Sequence, residues 1–276
     1  MKTIHLDPQK LSELERQSTP CVVALGFFDG VHLGHRQVIR EAREIARKKG
    51  VPLAVMSFFP HPKEVLSKGK QQVDYLMPVK EKQRIFEKLG VDLCYIVPFD
   101  QSFASLKPER FVKNYLLNLG ALHVVAGFDY AYGYRGEGHM DRMKMDARGL
   151  LEVTKVEKVA CHGEKISSTL IREKIRTGAV EELPSCLGET YRVEGRVVGT
   201  MILMKPYYML PSSGRYVVTI HSQKGSFNTE VVVLKKPDQI LIRDVEISNL
   251  VQGEQVTIEW KRCLFTQWQE KEQLLV

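Results

Sequence analysis

Cys21-Val22-Val23-Ala24-Leu25-Gly26-Phe27-Phe28-Asp29-Gly30-Val31-His32-Leu33-Gly34-His35 is the stretch whose reading decides the fold. Val22 to Leu25 is an apolar run of the length of a buried strand. Gly26 and Gly30 mark a turn, and the spacing beyond predicts a helix from Leu33 towards Lys49. A strand-turn-helix join aims unpaired N–H groups and a partial positive charge at whatever lies beyond the helix start. Glycines let a phosphate approach the backbone, and His32 and His35 place imidazole donors at the same spot. The stretch therefore proposes a site for phosphate chemistry.

Outward from it, strands and helices alternate. Strands are predicted at Pro52–Phe59, Asp92–Pro98, Ala121–Ala126 and Leu151–Val159. Helices are predicted at Val79–Leu89, Pro108–Leu119, Asp141–Arg148 and Ser167–Arg176, and Ser67–Tyr75 reads as a loop. Pro60-His61-Pro62 must leave the sheet, because proline cannot donate to a ladder. This alternation predicts an α/β fold, a doubly wound parallel sheet with ligands at the carboxyl ends of its strands. Beyond Leu187 the pattern changes. Tyr191–Val198, Gly214–His221, Phe227–Leu234, Ile240–Ile242 and Gln255–Lys261 alternate or are β-branched, with turn signals at Ser212-Ser213-Gly214 and Gln223-Lys224-Gly225. A small β-barrel is expected there. The domains are read as 1–186 and 187–276.

The chain has 276 residues, 43% hydrophobic and 26% charged, which fits a globular protein and argues against disorder. A formal charge of +7 admits nucleic acid, anionic surfaces or phosphorylated small molecules. The basic residues are scattered and alternate with acids, as in Arg40-Glu41-Ala42-Arg43-Glu44, which favours solvated helix faces plus a phosphate site. Cys21, Cys94, Cys161, Cys186 and Cys263 are odd in number and far apart, with no Cys-x-x-Cys pair. No run is long enough to span a membrane, and Met1–Lys10 has no signal-peptide core. The cytoplasm is the expected compartment.

Read singly, the candidate residues stay open. His32 and His35 could be structural, zinc ligands or triphosphate donors; no third zinc ligand has suggestive spacing, and the preceding strand and turn favour the phosphate reading. Ser167-Ser168-Thr169 could be an ordinary helix cap, while Arg172, one turn on, makes a second phosphate clamp the preferred reading. Asp129 could simply cap its turn, and Phe128, Tyr130 and Tyr132 could be core or stack on a ring. His61 between prolines reads as a surface turn residue.

Together these pieces resemble one family. Gly26-Phe27-Phe28-Asp29-Gly30-Val31-His32-Leu33-Gly34-His35 resembles the His-x-Gly-His signature of nucleotidyltransferases, in the long form found in bacterial bifunctional riboflavin kinase/FAD synthetases. Phe58-Phe59-Pro60-His61-Pro62, Pro98-Phe99-Asp100 with Phe103-Ala104, Gly127-Phe128-Asp129-Tyr130-Ala131-Tyr132-Gly133 and Ile166-Ser167-Ser168-Thr169-Leu170-Ile171-Arg172 resemble further motifs of that family in its order. The resemblance implies a Rossmann-like domain that transfers AMP from ATP to FMN with Mg²⁺, followed by a riboflavin kinase barrel. It implies catalytic roles for His32, His35 and Arg172. Gly26, Phe28, Gly34, Ser167, Ser168 and Thr169 would bind ATP, and Phe58, His61, Pro62, Phe128, Asp129 and Tyr130 would face FMN. Asp129 is also a candidate to help hold the metal, whose ligands are otherwise left unassigned. Many relatives carry an acid where this chain has Phe59.

The barrel departs from the family pattern. Tyr191 to Gly199 matches its entry, but Thr200 to Pro211 contains no Pro-Thr-Ala-Asn segment. Glu230 is the nearest counterpart of the kinase's base, in a poor register, and little chain follows Trp268. The expectation is an FMN adenylyltransferase without riboflavin kinase activity. The alternatives are a bifunctional enzyme, a non-catalytic flavin or nucleotide regulator, and a transferase for another phosphorylated acceptor. Expected partners are ATP and FMN, not nucleic acid or membrane, with homo-oligomerisation left open.

Overall fold

The computed structural model describes residues 1–161, 163–234, 239–242 and 250–266. Trp268 and the reading of the terminus lie outside them. The chain divides into two compact units, Met1–Val73 with Val79–Ala160, and Asp74–Pro78 with Cys161–Val276.

The first unit is built on a six-stranded sheet. Its strands are β1 (Lys2–His5), β2 (Cys21–Leu25), β3 (Leu53–Phe59), β4 (Leu93–Pro98), β5 (Ala121–Gly127) and, after the small ribbon β6 (Ala131–Tyr132) and β7 (Gly138–His139), β8 (Glu152–Val156). The order is β1-β4-β3-β2-β5-β8 and every pair is parallel. Parallel sheets occur with both faces covered, and β2 accordingly reads as an unbroken apolar run, buried throughout. The helices are α1 (Leu11–Arg16), α2 (Leu33–Lys49), α3 (Pro62–Leu66), α4 (Val79–Lys88), α5 (Gln101–Ala104), α6 (Pro108–Phe111) and α7 (Met140–Asp146). Helix α2 buries Val38, Ile39, Ala42 and Ala46, ends on Arg47, Lys48 and Lys49 where its dipole favours cations, and is closed by Gly50 at φ 66°.

The predicted helix Pro108–Leu119 proves to be three pieces: α6, an i→i+5 turn over Val112–Leu116 and a 3₁₀ turn over Leu117–Leu119. The segment buries Phe111, Val112, Tyr115, Leu116 and Leu119, and local turn type yields to that packing. Gly120 follows at φ +83°, where an added Cβ would lie 2.4 Å from the Thr19 carbonyl oxygen. Gly120→Ala is expected to destabilise the unit by about 1–3 kcal/mol; urea melts check this.

The short ribbon β9 (Ala160–Cys161) and β10 (Glu164–Lys165) begins at the last residue of the first unit, and α8 (Ser168–Thr177) and α9 (Leu183–Leu187) follow in the second. The barrel strands are β11 (Arg192–Val198), β12 (Met201–Met204), β13 (Gly214–Ser222), β14 (Gly225–Val233), β15 (Gln239–Ile242) and β16 (Gln255–Thr266). They close in the order β11-β12-β15-β14-β13-β16, all antiparallel. Side chains alternate inward and outward, with Tyr216, Val218, Ile220, Val231, Ile258 and Trp260 buried. The long strand β16 shifts register against β13 twice, between Arg215 and Tyr216 and between Val217 and Val218, which bends the sheet towards closure. The predicted α/β sheet followed by a β-barrel is thus the observed architecture.

Candidate active site

The candidate turns of the first unit follow the carboxyl ends of β2, β3 and β5. The turn after β2 is held from several sides. Phe28 and Val31 have positive φ, 55° and 37°, which side chains such as these rarely adopt, and Gly30 follows suit at 81°. The Val31 N–H donates to the Phe28 carbonyl (3.3 Å), and Arg36 Nε donates back to the Val31 carbonyl (3.0 Å). An over-determined, strained turn of this kind is a mark of functional sites. Gly26 is required by packing: a Cβ there would lie 2.8 Å from the Phe28 ring, which is buried under the turn.

His32 caps α2. Its Nδ1 accepts from the His35 N–H (3.3 Å), so the neutral ring carries its proton on Nε2. The His35 ring stacks on it at 3.5 Å and 17°, with Phe28 edge-on at 5.2 Å. Burial, then the charges of His32 and Lys82, hold His35 well below the usual histidine range, so it is neutral at pH 7. Its Nδ1 is buried without a hydrogen-bond partner among the described residues. Gly34 lies between the two histidines in the first turn of α2.

After β3, His61 caps α3, its Nδ1 accepting from the Lys63 N–H (3.1 Å), and Pro62 opens the helix. The His61 ring stands edge-on to Phe27 at 4.4 Å, which brings the turns after β2 and β3 together. Phe58 is a core residue, packed on Phe99 and Phe103. After β5, Phe128 and Asp129 are exposed and Tyr130 is half-buried against the core. Tyr132 is core, its hydroxyl donating to Asp146 Oδ2 (2.6 Å).

Ser167, Ser168, Thr169 and Arg172 belong to the second unit. Ser167 caps α8 by accepting from the Leu170 N–H (3.2 Å), and Ser168 and Thr169 form the first turn. Arg172 Nε donates to the Asp74 carbonyl (2.7 Å).

Sequence reading missed Lys82. It is 1% exposed, and its Nζ donates to the Phe27 carbonyl (3.1 Å) and to Ser57 Oγ (3.2 Å). A signal exists: Lys82 stands three residues from Val79 and from Ile85, on the apolar stripe of α4.

With this geometry in view, the family model for FAD synthetase matches residues 14–170. The chain belongs to the FAD synthetase family. It is therefore a nucleotidyltransferase enzyme. A bifunctional riboflavin kinase/FMN adenylyltransferase of Listeria monocytogenes is 40% identical over 94% of this chain and 88% of its own length. An FAD synthetase of the same organism is 31% identical over 73% of this chain and 82% of its own length. Among solved structures, a macrolide-efflux protein from Streptococcus pneumoniae superposes with a TM-score of 0.83 at 28% identity, over 99% of this chain and 96% of that one. Among the described residues no helix is long and apolar enough to cross a membrane. The five cysteines are free thiols, Cys21, Cys94 and Cys186 buried.

Proposed function

We propose that this member of the FAD synthetase family transfers AMP from ATP to FMN, giving FAD and pyrophosphate. The observation that carries the reading is the stacked pair His32 and His35 at the start of α2, with His35 held neutral by burial, behind a turn of strained backbone. A phosphate oxygen of FMN forms a bond to the α-phosphorus, and the bond from that phosphorus to the bridging oxygen breaks, so pyrophosphate leaves with the electron pair. No side-chain nucleophile is needed. The protein aligns two anions and stabilises the charge that develops on the leaving group. His32 Nε2–H, His35 and the N-terminal field of α2 are assigned that task, with Gly26, Phe28 and Gly34 giving close approach to ATP.

Ser167, Ser168, Thr169 and Arg172 are assigned to ATP as a second clamp, a role that a helix start and a bidentate guanidinium suit. His61, Pro62, Phe128, Asp129 and Tyr130 are assigned to FMN, with Phe58 supporting them from the core. Among the described residues no group of three or more His, Cys, Asp or Glu side chains could hold a metal ion. Mg²⁺ commonly binds through one or two carboxylates plus phosphate oxygens, so Asp129 is assigned to a Mg²⁺ that arrives with ATP and neutralises phosphate charge. The working division is 1–186 for transfer and 187–276 for the barrel, in the cytoplasm, with small-molecule partners and no nucleic acid.

For the barrel we propose loss of riboflavin kinase activity. A kinase must bring together metal ligands, a base and the γ-phosphate. The segment Thr200–Pro211 lacks the threonine and asparagine ligands of the family's pattern, and Glu230 is engaged by Arg215 (2.6 Å). The bifunctional name of the 40% identical relative favours a second reading, in which other residues sustain the kinase. One assay decides. Purified protein is incubated with Mg-ATP and either riboflavin or FMN, and the flavins are separated. FAD from FMN with no product from riboflavin is the expected result. FMN from riboflavin at an ordinary enzymatic rate would establish the second reading instead.

A further inference from the structure

Lys82 is buried beside the turn after β2. Its ammonium, carried on α4, meets the turn after β2 and strand β3, and Cys94 of β4 is near enough to act on its charge. Nζ donates to the Phe27 carbonyl at 3.1 Å and to Ser57 Oγ at 3.2 Å, and Ser57 Oγ itself donates to the same carbonyl at 2.9 Å. Nζ also lies over the Phe27 ring, 4.6 Å from its centroid. The other edge of that contact is His61, whose ring meets Phe27 at 4.4 Å. One ammonium thus grips the backbone and the ring of the residue that joins the His32–His35 turn to the His61 turn.

We propose that Lys82, in its charged form, is a positioning residue for AMP transfer: it fixes Phe27 and so sets the ATP-side histidines and the FMN-side turn in register with each other. The inference rests on the AMP-transfer reading above.

Burial penalises the charged form of this side chain. Burial draws the Lys82 ammonium down to about 8; Asp29 and Cys94 oppose that, and His35 also faces it. The unfolded chain keeps its proton until near the ordinary lysine value of 10.5. Between about 8 and 10.5 the unfolded state binds more protons, so on this group's account stability rises as pH rises. Activity should move the other way, because deprotonation through pH 8 weakens the grip on the Phe27 carbonyl. Cys94 does not confuse the limb, since burial pushes its thiol up to about 11. Perturbed titrating groups of this sort gather where function requires them.

The test measures FAD formation from FMN and Mg-ATP between pH 6.5 and 9.5 for wild type, Lys82→Met and Lys82→Arg, with thermal melts at each pH. Wild type should show kcat falling above about pH 8 while its melting temperature holds or rises. Lys82→Met should lose ~10–100-fold in kcat, with KM for ATP nearly unchanged and no alkaline limb. Lys82→Arg, which keeps the charge, should recover part of kcat and flatten the limb. Should Lys82→Met fail to fold, the wild-type comparison of kcat against melting temperature still decides. A wild-type kcat flat to pH 9.5, or a folded Lys82→Met with wild-type kcat and limb, overturns the proposal. A wild type that makes no FAD overturns the AMP-transfer reading itself.

Discussion

Replacing His35 with alanine should lower kcat/KM for FAD formation by ~10²–10³-fold, the loss typical of removing one donor to a developing oxyanion. The protein should stay folded, with an unchanged circular dichroism spectrum and a melting temperature within a few degrees of wild type. The backbone N–H of residue 35, which donates to His32 Nδ1, survives the substitution, and alanine suits a helix better than histidine. The substitution also removes a buried ring nitrogen that has no partner among the described residues. A folded variant with an undiminished rate would remove the role assigned to the pair. Protonation has a sign to check as well. Burial holds His35 well below 6.5, so the unfolded chain takes up this proton first and, on its account, stability declines as pH falls below 6.5. The transfer rate should show no acid limb at 6.5 from this residue.

Trp260→Ala should be the most damaging change to the barrel, costing about 3–5 kcal/mol. Trp260 is 1% exposed and meets Tyr216 edge-on at 5.3 Å, so truncation leaves a large void in a small core. Its indole N–H has no partner among the described residues. Trp260→Phe keeps most of the ring contact and removes an unsatisfied donor, and should cost far less than the alanine change. Urea melts of both variants measure the difference; equal losses would show that ring packing is not what holds this core.

These expectations rest on features that differ in how plainly the sequence declares them. The strand, turn and helix from Cys21 to Lys49 are legible because period, breakers and caps agree, and Leu33–Lys49 is the helix observed. The strand β12 went unread. Met201-Ile202-Leu203-Met204 has little β-branching, and it becomes a strand by pairing with β11 and β15, a distant choice. The ribbon of β6 and β7 is likewise two residues against two, too short to leave a period. Lys82 eluded reading for another reason. A lysine on an apolar stripe ordinarily extends its charge to water. That this one turns inward depends on Ser57 and the Phe27 carbonyl, residues 25 and 55 positions away.

The five residues Asp74–Pro78 interrupt one compact unit and belong to the other. There Tyr191 Oη donates to the Leu76 carbonyl (2.9 Å), Tyr75 meets Tyr207 edge-on at 5.3 Å, and Arg172 and Arg176 both engage Asp74. For dissection of the protein this means that neither unit exists as one unbroken fragment. A cut after residue 186 strands Leu76 from Tyr191, and a barrel expressed from residue 161 lacks a piece encoded far upstream. Co-expression of halves, or a circular permutant that keeps Asp74–Pro78 with α8, is the route by which the barrel could be studied apart.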